Sequence, residues 1–217
     1  RLFAHQRVDS RPTNFLDDLA AATPTTGGGS AAAHAGAMGA ALVAMVARLT
    51  VSKKKYAAVE AQMTEILNQA EHLRRELTAA VDEDSAAFEG VLSSFKLSKA
   101  TPEQEKVRTK AIEKATLRAA QVPLTVAQKS VSVMALAERA VALGNLNAIS
   151  DGASAAALAR AALTSAGYNV RINVNGLSDK TAGDSLLSQL QALEARAMKL
   201  EKDVHNTLTE RGGISTS

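Results

Sequence analysis

Two aspartates sit in contexts where a carboxylate can do chemistry. Asp84 falls on the apolar stripe of a predicted helix running through Leu77, Val81 and Phe88, while Asp82 and Glu83 rotate away from it. A carboxylate on a core-facing stripe costs several kcal/mol unless it is paired or lines a cleft. A buried ion pair and a proton-transfer group both satisfy that condition. Asp151, preceded by Ser150, stands at the start of another predicted helix, in line with Ala155, Leu158 and Ala162. N-capping explains such a residue. It also closes a polar patch with Asn145, Asn147 and Ser150, and side-chain amides beside one carboxylate suit an uncharged, nitrogen-rich heterocycle.

A third feature is Gly27-Gly28-Gly29-Ser30 opening into a small-residue helix, with Ser30 read as its N-cap. No Lys follows the glycines and no strand precedes them, so a P-loop is excluded. What remains is a tight turn that permits close helix packing, or a bare helix start that a ligand can approach. Lys53-Lys54-Lys55-Tyr56 reads either as a solvated connector or as an electrostatic hand for a polycarboxylate. The four histidines, His5, His34, His72 and His205, have no ligand spacing, and no metal is expected. His34, inside the small-residue helix near the glycine loop, reads as a partly buried, hydrogen-bonded core histidine ahead of a proton shuttle.

The elements that must position these groups are helical. Aromatic residues make up 3% of the 217-residue chain, prolines number four, and Ala, Leu, Glu, Lys and Gln are abundant, which predicts an all-α single-domain bundle. The absence of cysteine excludes disulfides, thiolate catalysis and cysteine-ligated metals, and fits a cytoplasmic protein. A net charge of +3, spread along the chain with few aromatics to stack on bases, argues against nucleic acid. The stretch 31–49 has the length of a membrane span, but it is mostly Ala and Gly, and a buried central helix is the better reading.

Residues 1–12 read as a loose arm and 13–217 as one helical domain. Helices are predicted over 14–22, 30–50, 56–95, 101–143, 152–166 and 181–209, with Pro123 kinking or breaking the fourth. Thr101, Pro102 and Gln104 form a capping-box start to that helix. Residues 169–178 alternate Val170, Ile172 and Val174 with polar residues and are expected to be extended. Ala32, Gly36, Ala40 and Ala44 form a smooth stripe for close helix approach, and Leu186, Leu190, Leu193, Met198 and Leu208 are candidate core positions of the last helix.

Taken in order, several stretches resemble the folate-dependent cyclodeaminase/cyclohydrolase family, which holds the C-terminal domain of formiminotransferase-cyclodeaminase and stand-alone methenyltetrahydrofolate cyclohydrolases. They are Thr23-Pro24 with Gly27 to Ala32, Leu49-Thr50 with Lys53 to Tyr56, Asp82-Glu83-Asp84 with Ala87-Phe88, Val122-Pro123-Leu124, Gly144 to Asn147 with Ser150-Asp151, and Asn169 to Asn173. The resemblance spans about residues 13–180. It implies an all-α homodimer acting on a tetrahydrofolate derivative as substrate, with no prosthetic group.

It further implies Asp151 and Asp84 as the catalytic carboxylates, with Asn145 and Asn147 holding the pterin or the reacting carbon, helped by Tyr56. Gly27, Gly28, Gly29 and Ser30 would let the ligand approach backbone donors, and Lys53, Lys54 and Lys55 would attract the glutamate tail. Cyclohydrolase is the first expectation, because no formiminotransferase domain is present to channel a formimino substrate. Cyclodeaminase is the alternative. Two further readings are another pteridine or formimino substrate, and a non-catalytic helical dimer that associates through the Gly36/Ala40 stripe and the long helix 56–95.

Overall fold

Small residues dictate the centre of this molecule. In the computed structural model, which describes residues 15–22 and 26–215, a short helix α1 (Phe15–Ala20) precedes α2 (Gly28–Arg48). The helix α2 has α3 (Glu60–Phe95), α4 (Pro102–Leu143) and α5 (Ile149–Asn175) packed around it, and α6 (Lys180–Gly212) closes the bundle against α4 and α5. It is the one described helix long and apolar enough to cross a bilayer, yet most of it is buried inside the bundle, as a core helix should be. The expected arm at 1–12 and the Thr23-Pro24 pair lie outside the described residues.

The expected stripe Ala32, Gly36, Ala40 and Ala44 is buried within the subunit. A Cβ on Gly36 would press on Leu77 and the Ser130 hydroxyl, and one on Gly39 would sit 2.9 Å from the Ala155 carbonyl. The stripe, with Gly39 beside it, therefore brings α3, α4 and α5 close to α2 and is not an exposed association surface. Gly28 lies opposite Asn169, and Gly39 opposite Ala155 and Ala159, so α2 and α5 run antiparallel. This relation sets where the chemistry can be.

Other boundaries follow local physics. The first turns after Lys53 form a 3-10 helix, Lys54–Val59, and α3 starts only at Glu60. Thr101 caps α4 by accepting from the Gln104 N–H at 3.2 Å, with Pro102 at the first helical position and the Gln104 side chain reaching back to the Ala100 N–H. At the far end, α6 is capped by Asp179 and stops at Gly213, whose φ of 65° suits a residue without a Cβ. Along α6, Leu186, Leu190 and Leu208 are buried and Leu193 is partly buried, while Met198 faces solvent.

Two expectations fail instructively. Residues 169–175 are helical, because Val170 and Val174, four apart, are both buried while Ile172 is exposed; the alternation resembled a strand only because Ile172 is apolar. Pro123 neither breaks nor ends α4, which continues from Pro102 to Leu143. Proline lacks the N–H that would bond the Ala119 carbonyl one turn earlier. That carbonyl accepts instead from the Asn173 side chain of α5 at 2.9 Å. The missing donor is supplied across the helix interface.

Candidate functional site

Asp84 sits on α3 where that helix passes the start of α2. Burial raises its pKa above the ordinary carboxylate value, opposed by hydrogen bonds from the Ser30 hydroxyl, at 2.9 Å, and from the Ser30 backbone N–H. Ser30 is therefore not the N-cap. Gly27 is, in extended backbone and without a side-chain bond, and the orphan N–H at Ser30 is met by a carboxylate from another helix. The approach is possible because position 29 has no side chain. A Cβ there would lie within 2.6 Å of Asp84 Oδ2 and closer still to its other oxygen.

Around this carboxylate lies a cavity of about 270 Å³, lined by Gly27, Gly28, Gly29, Phe88, Ala119, Asn169, Ile172 and Asn173 beside Asp84. Asn169 donates to the Ser165 carbonyl at 2.9 Å. Asn173 donates from one nitrogen to both the Ala119 and Asn169 carbonyls, each at 2.9 Å. Both Nδ2 hydrogens of Asn173 are thereby engaged, which fixes the amide plane and leaves Oδ1 as its acceptor. The floor of the pocket is pinned from the α2 side as well, where the Ser165 hydroxyl donates to the Gly28 carbonyl at 3.1 Å. A carboxyl of raised pKa, beside a fixed amide and an apolar wall, can take a proton from a nucleophile and return it to a leaving nitrogen.

Reasoning from residues alone missed Asn169, Asn173, Ala119, Phe88 and Ile172 as lining groups. A signal for the asparagines exists: spaced by four, they share a helical face. Reading 169–178 as extended concealed it.

The remaining expected site residues gather elsewhere. Asn145 is a clasp: its backbone N–H donates to Thr50 Oγ1 at 2.8 Å, its Nδ2 to the Leu49 carbonyl at 3.1 Å, and its Oδ1 accepts from the Asn147 N–H at 3.1 Å. The Tyr56 hydroxyl reaches Asn145 Oδ1 and accepts from the Leu146 N–H at 3.0 Å. Lys53, Lys54, Lys55, Asn147 and Ser150 are exposed around it, and Lys55 lies over the Tyr56 ring. Asp151 is in the first turn of α5, where the cap position is Ala148.

On α5, Asp151 and Asn169 are 18 residues apart, about 27 Å at helical rise. One subunit therefore does not bring Asp151 to Asp84, nor Lys53–Lys55 to the Asp84 cavity. His34, between the two regions, has its ring stacked on Phe15 of α1.

Known proteins resemble the chain closely. The family described as formiminotransferase-cyclodeaminase matches residues 12–192. A methenyltetrahydrofolate cyclohydrolase of Methylorubrum extorquens is 43% identical over 197 residues, covering 91% of this chain and 95% of that protein. A formimidoyltransferase-cyclodeaminase of Sus scrofa is 32% identical over 165 residues, and the chain spans only 30% of that longer protein. Among solved structures, the formiminotetrahydrofolate cyclodeaminase of Thermotoga maritima superposes with a TM-score of 0.83 at 32% identity, covering 91% of this chain and 96% of that one.

Proposed function

The chain belongs to the formiminotransferase-cyclodeaminase family, and from that premise we propose that it is a methenyltetrahydrofolate cyclohydrolase, opening 5,10-methenyltetrahydrofolate to 10-formyltetrahydrofolate. The observation that carries this reading is the similarity, along almost the whole of both chains, to a protein of that activity. Water adds to the cationic carbon held between N5 and N10, and Asp84 takes one of its protons. The tetrahedral carbon then expels N5, which receives a proton from the Asp84 carboxyl as the C–N5 bond breaks. The second proton of water leaves to solvent as the formyl C=O forms on N10. A carboxyl whose pKa burial raises above the ordinary carboxylate value suits both transfers.

In this assignment the ligand meets the lining of the Asp84 cavity, while the Ser30 donors serve Asp84 itself. The cyclodeaminase reaction is the second reading, favoured by the fold match to the Thermotoga maritima enzyme. It passes through the same carbon, with N10 as nucleophile and ammonia as leaving group. Homodimerisation is also proposed, on a face other than the one expected: Ala35, Met38, Ala41, Met45 and Leu49 form a largely apolar, partly exposed stripe along α2.

Near-ultraviolet absorbance of 5,10-methenyltetrahydrofolate decides between the activities. Protein-dependent loss of the chromophore supports the cyclohydrolase. Its appearance from 5-formiminotetrahydrofolate, with ammonia released and no accelerated loss, assigns the cyclodeaminase instead.

A further inference from the structure

Among the described residues, the Asp84 cavity is lined by a carboxylate and no cation, and tetrahydrofolates carry carboxylates of their own at the glutamate end. Ala87, on the wall of the Asp84 cavity, also lines a second cavity of about 330 Å³ in the groove between α3 and α4. Arg118 of that groove directly precedes Ala119 of the first cavity. The groove floor is Gly90, Ala111 and Ala115 together with Ala86 and Ala87, smooth enough for a flat ring to lie along it. A Cβ at Gly90 would meet nothing, so there is open room above.

Among the described residues, the charged side chains that line this groove are Lys114 and Arg118, both exposed cations. Neither takes part in the described ion pairs, which engage Arg48, His72, Arg74, Arg75, Lys129, Arg139, Arg160 and Arg171. The acid one position before Lys114, Glu113, is turned to the backbone N–H groups of Ser178 and Asp179 and is held there as an anion by them. Asp84 to Gly90 spans about 9 Å along α3, and Lys114 to Ala119 about 7.5 Å along α4. The joined cavities thus run from a carboxylate to two free cations. The proposed substrate has the opposite order: a cationic amidinium carbon at one end and carboxylates at the other.

We propose that the α3–α4 groove beside the Asp84 cavity seats the aminobenzoyl-glutamate tail of the substrate, with Lys114 and Arg118 binding its carboxylates. The inference rests on the folate reading above, and it moves the anion-binding role away from Lys53–Lys55. Arg118 offers a planar fork that matches a carboxylate, and Lys114 a mobile point charge.

The test compares two substrates, 5,10-methenyltetrahydrofolate and the same compound with the glutamate replaced by a simple amide that carries no carboxylate, the methenyl derivative of tetrahydropteroyl amide. Four proteins are measured: wild type, the double variant Lys114→Gln/Arg118→Gln, its conservative counterpart Lys114→Gln/Arg118→Lys, and the triple variant Lys53→Gln/Lys54→Gln/Lys55→Gln. The expected result is a KM for the glutamate-bearing substrate at least about tenfold higher in the double variant, equivalent to loss of one charge-assisted contact. The KM for the truncated substrate stays at the wild-type value, and Arg118→Lys recovers part of the loss. Both positions are exposed, and circular dichroism melting verifies folding. A double variant that affects both substrates equally, or neither, overturns the subsite while leaving the activity standing. So does a selective loss in the Lys53–Lys55 variant alone. A wild-type protein that neither binds folate by calorimetry nor turns over either substrate overturns the folate reading and the subsite together.

Discussion

The two ends of the α2–α5 pair handle polar groups in opposite ways. At the start of α2, Asp84 is half-buried, and its protonation is favoured by burial. At the other end, Asn145 donates from its backbone N–H to the Thr50 hydroxyl and accepts at Oδ1 from the Tyr56 hydroxyl, which in turn accepts from the Leu146 N–H. A little further along α3, Glu71 is pulled from its ordinary 4.5 to about 2, first by the Arg74 side chain and then by Arg48 at the end of α2. A cluster whose members satisfy each other holds a loop in place. A carboxyl whose pKa is raised by burial, beside an open cavity, has capacity left for a substrate.

Exchange of the two aspartates tests this contrast most strongly. Asp84→Asn is expected to lower kcat by about 100-fold or more, the range of a lost acid–base group, and Asp151→Asn to leave it within about threefold. If Asp151→Asn is equally damaging in a folded protein, the two ends work on one substrate and the contrast collapses. Gly29→Ala comes next. The new methyl group meets the Asp84 oxygens, so about 1–3 kcal/mol of stability should be lost along with turnover, read by thermal melting beside the absorbance assay. At the opposite end, Asn145→Ala should cost about 1–2 kcal/mol through its lost hydrogen bonds while retaining kcat.

The smallest effects are in pH. Glu71 contributes stability above its unfolded value, and that contribution disappears as pH falls from about 4.5 towards about 2. Glu71→Gln should therefore lower the melting temperature near neutrality and converge with wild type in strong acid. Asp84 has the opposite sign. Its raised pKa means the native state holds the proton longer, so its contribution is present below the ordinary carboxylate range and is lost as pH rises through the raised value. In melting curves the Asp84→Asn protein should gain on wild type as pH rises. Equal slopes for wild type and both variants would erase the distinction between the ends.

How much of this was legible in the sequence depends on the range of the interactions. The all-α class and the capping of α4 are local, written in composition and in Thr101-Pro102-Gln104, and they read correctly. The anomaly of Asp84 was legible too, because periodicity alone places it on an apolar stripe. Its partner was not: Ser30 looks like an N-cap from its neighbours, and only the packing of α3 across α2 reveals a donor to Asp84. Nor could spacing separate Asp84 from Asp151, since their distance depends on the antiparallel course of α2 and α5. Phe88 and Phe95 continue the stripe of α3 in sequence, yet both are exposed, because α3 and α4, with 36 and 42 residues, outrun the 21-residue α2 that covers them.

Pro123 sets durability against use in this fold. Replacing it with alanine would improve α4 as a helix, restoring the N–H that the Ala119 carbonyl lacks. The same repair would make Asn173 dispensable at that carbonyl and release an amide plane that now faces the cavity with a fixed orientation. A search for heat-resistant variants would select this change early, and each degree gained would come with a looser grip on whatever the cavity holds. The flaw in one helix is what keeps its neighbour in tune.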